Sequence, residues 1–398
     1  MKKILIFSTA YYPFVGGAEV AVKEITDRLG SPSMNSGQVD FEFDLITARL
    51  RKDLPDLEKI GAVNVYRIGS GKPTLDKLLL PFRGALKAWQ LNKKQNYFCF
   101  WAIMASFSSG AGYICNILRF ISGKNKIPIV LSLQEGDSEN YLKYKWGGLV
   151  ALSWRLSLWQ TDHLTALSNF LLKRAEKNGY KGETTLVPNG VDIPFFSQII
   201  KEETKQELRN RSGKKTGDIF LVTSGRLTQK NAVDSIISSL THLTENISLI
   251  IIGKGTDGKL DEGSQLQKQA RDLGLANRVK FLGFLPHVDM PKYLSVCDIF
   301  IRPSRSEGFG NSFIEAMAAR LPVIATPVGG IPDFIDDKET GVFCSPDNPQ
   351  SIAQAVKLIL EDGTLRERII EKAYARVVER YSWDHVVQEM KAVFDKMT

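Results

Sequence analysis

The chain has 398 residues, 43% hydrophobic and 24% charged, a globular composition that excludes a disordered or low-complexity protein and is long enough for two domains. Its formal net charge of +8 is uneven: residues 1–199 hold 25 Lys+Arg against 17 Asp+Glu, and residues 200–398 hold 27 of each. An excess confined to the first half fits an anionic partner there (membrane surface, nucleic acid or acidic substrate) or a plain solvated face.

The four cysteines, Cys99, Cys115, Cys297 and Cys344, are far apart and form no C-x-x-C. They read as buried thiols of a reducing, cytoplasmic compartment, not as disulfides or zinc ligands. His163, His242, His287 and His385 form no H-E-x-x-H, and no Asp-x-Asp occurs. No protein-held metal is therefore expected.

In chain order, MKKILIFSTA has a positive start and a short apolar run. The run is too short for a signal sequence and meets YYPFVGG, so it reads as a first strand. Gly16-Gly17 opens AEVAVKEITDRLG, apolar at helical spacing, with Gly30 just past its end. FEFDLITA and VNVYRIG are strands. Residues 75–94, LDKLLLPFRGALKAWQLNKK, mix apolar side chains with Lys77, Arg83, Lys87, Lys93 and Lys94, and Pro81 is expected to interrupt any continuous helix. Residues 95–118 carry no charge and could span a bilayer by length. Their centre, SFSSGAG, is small and polar, so a strand (YFCFWAIM), a turn and a helix (AGYICNILRF) explain them better. IPIVLSLQ and DHLTALS are further strands, and TTLVPNGVD looks like the strand that leaves a first domain.

The charged stretch 197–217 reads as linker plus polar helix, after which the pattern restarts. DIFLVTSGRL, SLIIIGKG, VKFLGFL, IFI, PVIAT and GVFC are the strands of a second domain. Strands alternating with helices imply parallel doubly wound sheets. The expected fold is α/β, with two Rossmann-like domains facing across a cleft. One is 1–197, onto which an amphipathic helix at 383–398 packs back; the other is 198–382.

Ligands of open α/β sheets bind beyond the carboxyl ends of the strands, so the turns there matter most. Gly16-Gly17-Ala18-Glu19 opens a helix, and its glycines would let a phosphate approach the backbone; a plain turn fits as well. Gly225-Arg226-Leu227-Thr228-Gln229-Lys230 sets two cations four residues apart after a buried strand, which suits a diphosphate or two solvated side chains. Gly253-Lys254-Gly255 is a third turn. The fourth lies in SRSEGFGNSFIEAMAARLPVIATPVGG at 304–330. There Ser312-Phe313-Ile314-Glu315 fits a capping box, in which the glutamate only starts a helix. Glu307 and Glu315 could instead bind sugar or ribose hydroxyls while the helix amides take phosphate.

Together, GGAE at 16–19, VPNGVD at 187–192, GRLTQK at 225–230, IIGKG at 251–255 and SEGFGNSFIEAMA with PVIATPVGGIPDFI resemble the retaining nucleotide-sugar glycosyltransferases of GT-B fold. That group is glycosyltransferase family 4, or glycosyl transferases group 1. Each motif is loose alone; their joint order along nearly the whole chain is specific. The resemblance implies metal-independent transfer of a sugar from a UDP- or GDP-linked donor to a glycan, lipid-linked or small-molecule acceptor. Configuration would be retained, and no cofactor would be needed beyond the donor.

The resemblance also implies roles. Gly16 and Gly17 would face the donor phosphates, with Gly253 in the same donor site. Arg226 and Lys230 would neutralise the leaving diphosphate, and Glu307 would contact donor-sugar hydroxyls. Phe309, Gly310 and Asn311 would present backbone amides, Glu315 would bind the ribose, and Leu285 would meet the base through its backbone. Fixed cations and helix amides can stabilise a departing diphosphate without metal. No carboxylate pair for double displacement stands out, so front-face attack is expected, with the leaving phosphate helping to take the acceptor's proton.

Some positions depart from the family pattern. Many members carry a histidine in a V-x-x-H-G-like setting, where this chain has VLSLQEGDSE. Gln134 could hydrogen-bond a sugar hydroxyl, and Glu135 or Asp137 could bind the acceptor; equally, this half has lost that role. Asn231 stands where glycine is common and would tolerate left-handed backbone. Arg320 fits a left-handed cap poorly, so a different turn is expected there. Residues 75–94 and 146–159 fit an anionic membrane surface beside a lipid-linked acceptor, or helices packed on the sheet. An epimerase or hydrolase on the same fold would need an acid/base pair at Gln134 and Glu135. A non-catalytic sugar-nucleotide binder would not need Arg226, Lys230, Glu307 and Glu315 intact. No nucleic-acid recognition motif is present.

Overall fold

The structure, a computed structural model, describes residues 1–32, 40–136, 148–255 and 262–397. The chain divides into two compact units: Met1–Asn189 with Trp383–Thr398, and Gly190–Ser382.

The first unit holds β1 (Lys2–Phe7), β2 (Phe41–Ala48), β3 (Leu57–Ile60), β4 (Val63–Ile68), β5 (Cys99–Ile103), β6 (Ile129–Leu133), β7 (His163–Ala166) and β8 (Glu183–Leu186). They form one sheet in the order β3-β4-β2-β1-β5-β6-β7-β8. The central strands are buried along their whole length, as in β5 and β6, because helices cover both faces of a parallel sheet. The β3–β4 pair is antiparallel, which corrects the expectation of a purely parallel sheet. Gly61 and Ala62 alone join these two strands, and Gly61 adopts φ +57, a left-handed conformation that favours glycine. A Cβ there would lie 2.0 Å from Asp27 Oδ1, the atom that accepts the Ala62 amide at 2.8 Å.

One face of this sheet carries the helix Gly17–Leu29 and the returning helix Trp383–Asp395. Ala21, Val22 and Ile25 share a core with Val386, Met390 and Phe394. The Phe394 ring lies 5.3 Å from Trp101 and 5.7 Å from Phe41.

The helix Pro73–Gln95 runs unbroken through Pro81, contrary to the expected interruption. It packs tightly on the helix Ser108–Ile121: a Cβ on Gly110 would lie 2.8 Å from Pro81 Cβ, and one on Gly84 would lie 2.9 Å from Ala111 Cβ. That packing offsets the ~3 kcal/mol a proline costs inside a helix. The uncharged stretch 95–118 divides between β5 and the second of these helices. Among the described residues no helix is long and apolar enough to cross a membrane. All four cysteines are buried and unpaired, and burial pushes the Cys115 thiol up to about 11.

The second unit holds β9 (Ile219–Ser224), β10 (Ile247–Ile252), β11 (Val279–Gly283), β12 (Ile299–Arg302), β13 (Val323–Ala325) and β14 (Val342–Phe343). Their order is β11-β10-β9-β12-β13-β14, with every pair parallel. The chain steps outward from β9 to β11 and then crosses to β12 on the other side of β9. The carboxyl ends of β9 and β12 are therefore the switch point where such sheets open a crevice. Residues 190–197 go with this unit instead of the first, because Phe195 and Phe196 pack on His287 at 5.5 and 5.4 Å. Val191 also donates its amide to the Tyr381 carbonyl at 2.8 Å.

Candidate active site

The turn after β9 starts at Gly225, which adopts φ +139, a conformation costly for other residues. Gly225 donates to the Ile252 carbonyl and Leu227 to the Lys254 carbonyl, both at 2.9 Å. These bonds seat the turn against the end of β10. A Cβ on Gly253 would fall 1.8 Å from the Gly225 carbonyl oxygen, so close backbone contact explains that glycine without any ligand. The turn presents Arg226, exposed, and Lys230, half-buried. Neither side chain has a hydrogen-bond or ion-pair partner among the described residues.

Arg302, the last residue of β12, organises the neighbouring turn and was missed in the sequence. It is buried. Its Nη1 donates to Ser312 Oγ at 2.7 Å, and its Nη2 donates to Asn231 Oδ1 at 2.8 Å and to Glu307 Oε2 at 2.5 Å. The other Glu307 oxygen accepts the Gly308 amide at 3.1 Å. Asn231 Nδ2 donates to the Arg226 carbonyl at 2.5 Å. One guanidinium thus ties the backbone of the Arg226 turn to Glu307 and to the helix Asn311–Ala318. The available signal was an arginine ending the apolar strand IFIR with a glutamate five residues on, since a buried guanidinium needs a carboxylate. Asn231 itself lies in a 3-10 turn; the left-handed residue is Ala232, at φ +52. Asn231 therefore serves as a bridge, not as a tolerant backbone position.

The helix Asn311–Ala318 is capped by Gly310 at φ +99. Ser312 lies inside the first turn with its hydroxyl bonded to Arg302, so the S-x-x-E capping box does not form. Glu315 sits a turn further along, its side chain 20% exposed, with its Oε1 3.5 Å from His287 Nε2. Phe309 packs its ring on Phe334 at 5.3 Å and Tyr381 at 5.7 Å. Its side chain is thus core, which leaves its backbone for any ligand contact. The glycines after β13 support Glu307 from behind. Gly330 donates to the Glu307 carbonyl at 3.1 Å, and a Cβ on Gly329 (φ +59) would lie 1.8 Å from that oxygen.

Arg320 does adopt the left-handed cap, at φ +57, against expectation. Glu371 at 2.6 Å and the Tyr374 ring at 4.0 Å hold it there. Leu285 is half-buried just past β11, between exposed Phe284 and His287.

In the first unit, Gly16 is the N-cap of the helix Gly17–Leu29, after β1. Gln134 and Glu135 follow β6. Glu135 is buried; its Oε1 accepts the Ala105 amide, and its Oε2 accepts the Gln134 amide at 3.1 Å. That carboxylate joins the loops after β5 and β6. Gln134 Oε1 is buried without a hydrogen bond among the described residues, and Gln134 lines a small cavity with Ser132, Thr165 and Asn189. Asp137 lies outside the described residues.

Residues 204–376 match the family model of the glycosyl transferases group 1. The chain is 27% identical to an uncharacterized glycosyltransferase of Methanocaldococcus jannaschii, over 98% of this chain and 97% of that protein. It is 25% identical to the putative teichuronic acid biosynthesis glycosyltransferase TuaC of Bacillus subtilis, over 83% of this chain and 80% of that protein. In fold it is similar to sucrose-phosphate synthase of Thermosynechococcus elongatus, with a TM-score of 0.82 at 18% identity over 100% of this chain and 99% of that one. Anabaena HepE, solved in complex with UDP and glucose, gives a TM-score of 0.78 at 21% identity over the whole of both chains. Residues 204–376 thus resemble the domain of the glycosyl transferases group 1, and the chain as a whole shares the fold of these solved glycosyltransferases.

Proposed function

We propose that the protein transfers a sugar from a UDP- or GDP-linked donor to a glycan, lipid-linked or small-molecule acceptor, with retention of configuration and without a metal. The observation that carries this reading is the Arg226–Lys230 pair, two cations without counter-ions among the described residues, at the β9–β12 switch point. Breaking a sugar–phosphate bond leaves negative charge on the diphosphate. Arg226 offers it a planar fork and Lys230 a point charge, and the backbone amides at Gly310 and Asn311 add the helix N-terminus. Groups already in place stabilise that charge with little reorganisation. Glu307, fixed by Arg302, binds donor-sugar hydroxyls, and Glu315 binds the ribose. Leu285 meets the base. HepE, the neighbour of similar fold, was solved with UDP and glucose, which supports a nucleotide-sugar donor of this type.

The acceptor attacks the anomeric carbon on the face the diphosphate leaves, and the departing phosphate oxygen takes the acceptor's proton. The epimerase or hydrolase alternative needs a free acid/base pair at Gln134 and Glu135, but the Glu135 carboxylate is already bonded to two backbone amides. The test is incubation with labelled UDP- and GDP-sugars and a panel of glycan and lipid-linked acceptors, with proton NMR of the product. A product with the donor's anomeric configuration, formed in the presence of chelator, is expected. An inverted product overturns retention, a trapped covalent sugar–enzyme adduct overturns front-face attack, and sugar release without acceptor favours the hydrolase.

A further inference from the structure

Four side chains of the second unit meet at the candidate ribose site: Phe195, Phe196, His287 and Glu315. His287 opens the 3-10 turn His287–Asp289, two residues after Leu285. The Phe195 ring stacks on its imidazole at 5.5 Å with 16° between planes, and Phe196 meets it edge-on at 5.4 Å and 78°. Both rings come from the short helix Ile193–Phe196. That helix packs on Met290–Leu294 and on Asn311–Ala318, which carries Glu315. Phe196 is buried and Phe195 half-buried. Two rings thus fix the plane of an imidazole whose side chain is 63% exposed.

Glu315 has the complementary need. His287 Nε2, 3.5 Å from Glu315 Oε1, is the one ion-pair or hydrogen-bond partner of this carboxylate among the described residues. Glu307 differs, since it takes both a guanidinium and an amide. Nor does Glu315 start its helix, whose cap is Gly310 without a side-chain bond. At 3.5 Å the contact is electrostatic and not a closed hydrogen bond. Both carboxylate oxygens therefore keep the capacity to accept hydroxyl donors.

A surface ion pair between two mobile side chains contributes little, because both must be ordered to form it. Here two aromatic rings already order one partner. An imidazole donates from Nε2 either as the cation or as the Nε2–H tautomer, and either form draws Oε1 to one side. The carboxylate then faces a diol in a fixed orientation, as a binding group does when its neighbours lock it. A ribose offers such a carboxylate two adjacent hydroxyls; a dideoxyribose offers none. We propose that His287 is a positioning residue that holds Glu315 toward the ribose diol and sets selectivity for ribonucleoside diphosphates. The inference rests on the reading of Glu315 as the ribose ligand. It gives the turn after β11 two tasks: Leu285 for the base and His287 for the ribose carboxylate.

The test is calorimetric titration of UDP, GDP and ADP, and of their 2′,3′-dideoxy counterparts, into the full chain. The proteins are the wild type, His287→Ala, His287→Gln, Glu315→Ala and the double variant His287→Ala/Glu315→Ala, each checked for an unchanged thermal midpoint. His287→Ala should weaken the ribonucleotide that binds by about fivefold and leave its dideoxy counterpart unchanged. In the Glu315→Ala background the same substitution should change nothing, as expected of two groups acting as one unit. His287→Gln, which keeps a donor near the Nε2 position, should recover part of the loss. Equal weakening of the ribo and dideoxy forms overturns the inference, since His287 would then act on the base, the phosphates or the fold. So does an undiminished loss in the Glu315→Ala background. If Glu315→Ala weakens the ribonucleotide and His287→Ala does not, the ribose reading stands and the role of His287 fails. If no nucleotide binds the wild type, or Glu315→Ala leaves binding unchanged, the ribose reading itself fails and this inference with it.

Discussion

Two arginines at neighbouring strand ends carry different burdens. Arg226 is exposed and without a partner among the described residues, whereas Arg302 is buried and bonded to Ser312, Asn231 and Glu307. Arg226→Ala or Lys230→Ala should lower kcat/KM by about 10²–10³, the scale of losing one group that stabilises transition-state charge. Unfolding free energy should move by no more than about 0.5 kcal/mol; steady-state kinetics and urea titration check the pair. Arg302→Met should behave otherwise. It leaves the buried Glu307 carboxylate without its cation, which costs about 3–5 kcal/mol in urea titration, and it releases the Arg226 turn through Asn231. Arg302→Lys keeps the charge but not the fork that reaches three partners, so it should recover stability only in part.

At the scale of elements, the strands were legible because apolar runs ended in glycine-containing turns, and the order of those turns placed Arg226, Lys230 and Glu307 after strand ends and Glu315 in the helix that follows Glu307. The short edge strand β3 was not legible, since LEKI is too short and mixed to show a period. The capping box misled because a left-handed Gly310 starts the helix one residue before Asn311, and Ser312 serves Arg302 instead. Pro81 misled because packing on Gly110 outweighs a local penalty. Arg302 escaped notice because its partners lie 71, 5 and 10 residues away, and only the fold assembles them. The glycines behind Glu307 offer a test of this reading. Gly329→Ala combines a left-handed backbone with overlap on the Glu307 carbonyl, so thermal unfolding should report a loss of at least about 2 kcal/mol.

At the scale of the whole molecule, the last helix contributes to the first unit's core from the far end of the sequence. Its amphipathic pattern was readable, but its partners Phe41, Phe43 and Trp101 were not. Phe394→Ala should cost about 3–5 kcal/mol, and a chain ending at Ser382 should lose the cooperative unfolding of the first unit in calorimetry. The proposed donor site is tested most directly by calorimetric titration of UDP, GDP and ADP, with chelator present, into the wild type, Arg226→Ala and Glu315→Ala. One nucleotide should bind the wild type, and each substitution should weaken it by at least about tenfold, the worth of a charged hydrogen bond. Binding of none of the three, or equal binding by all three proteins, would contradict a diphosphate and ribose site at the β9–β12 switch point.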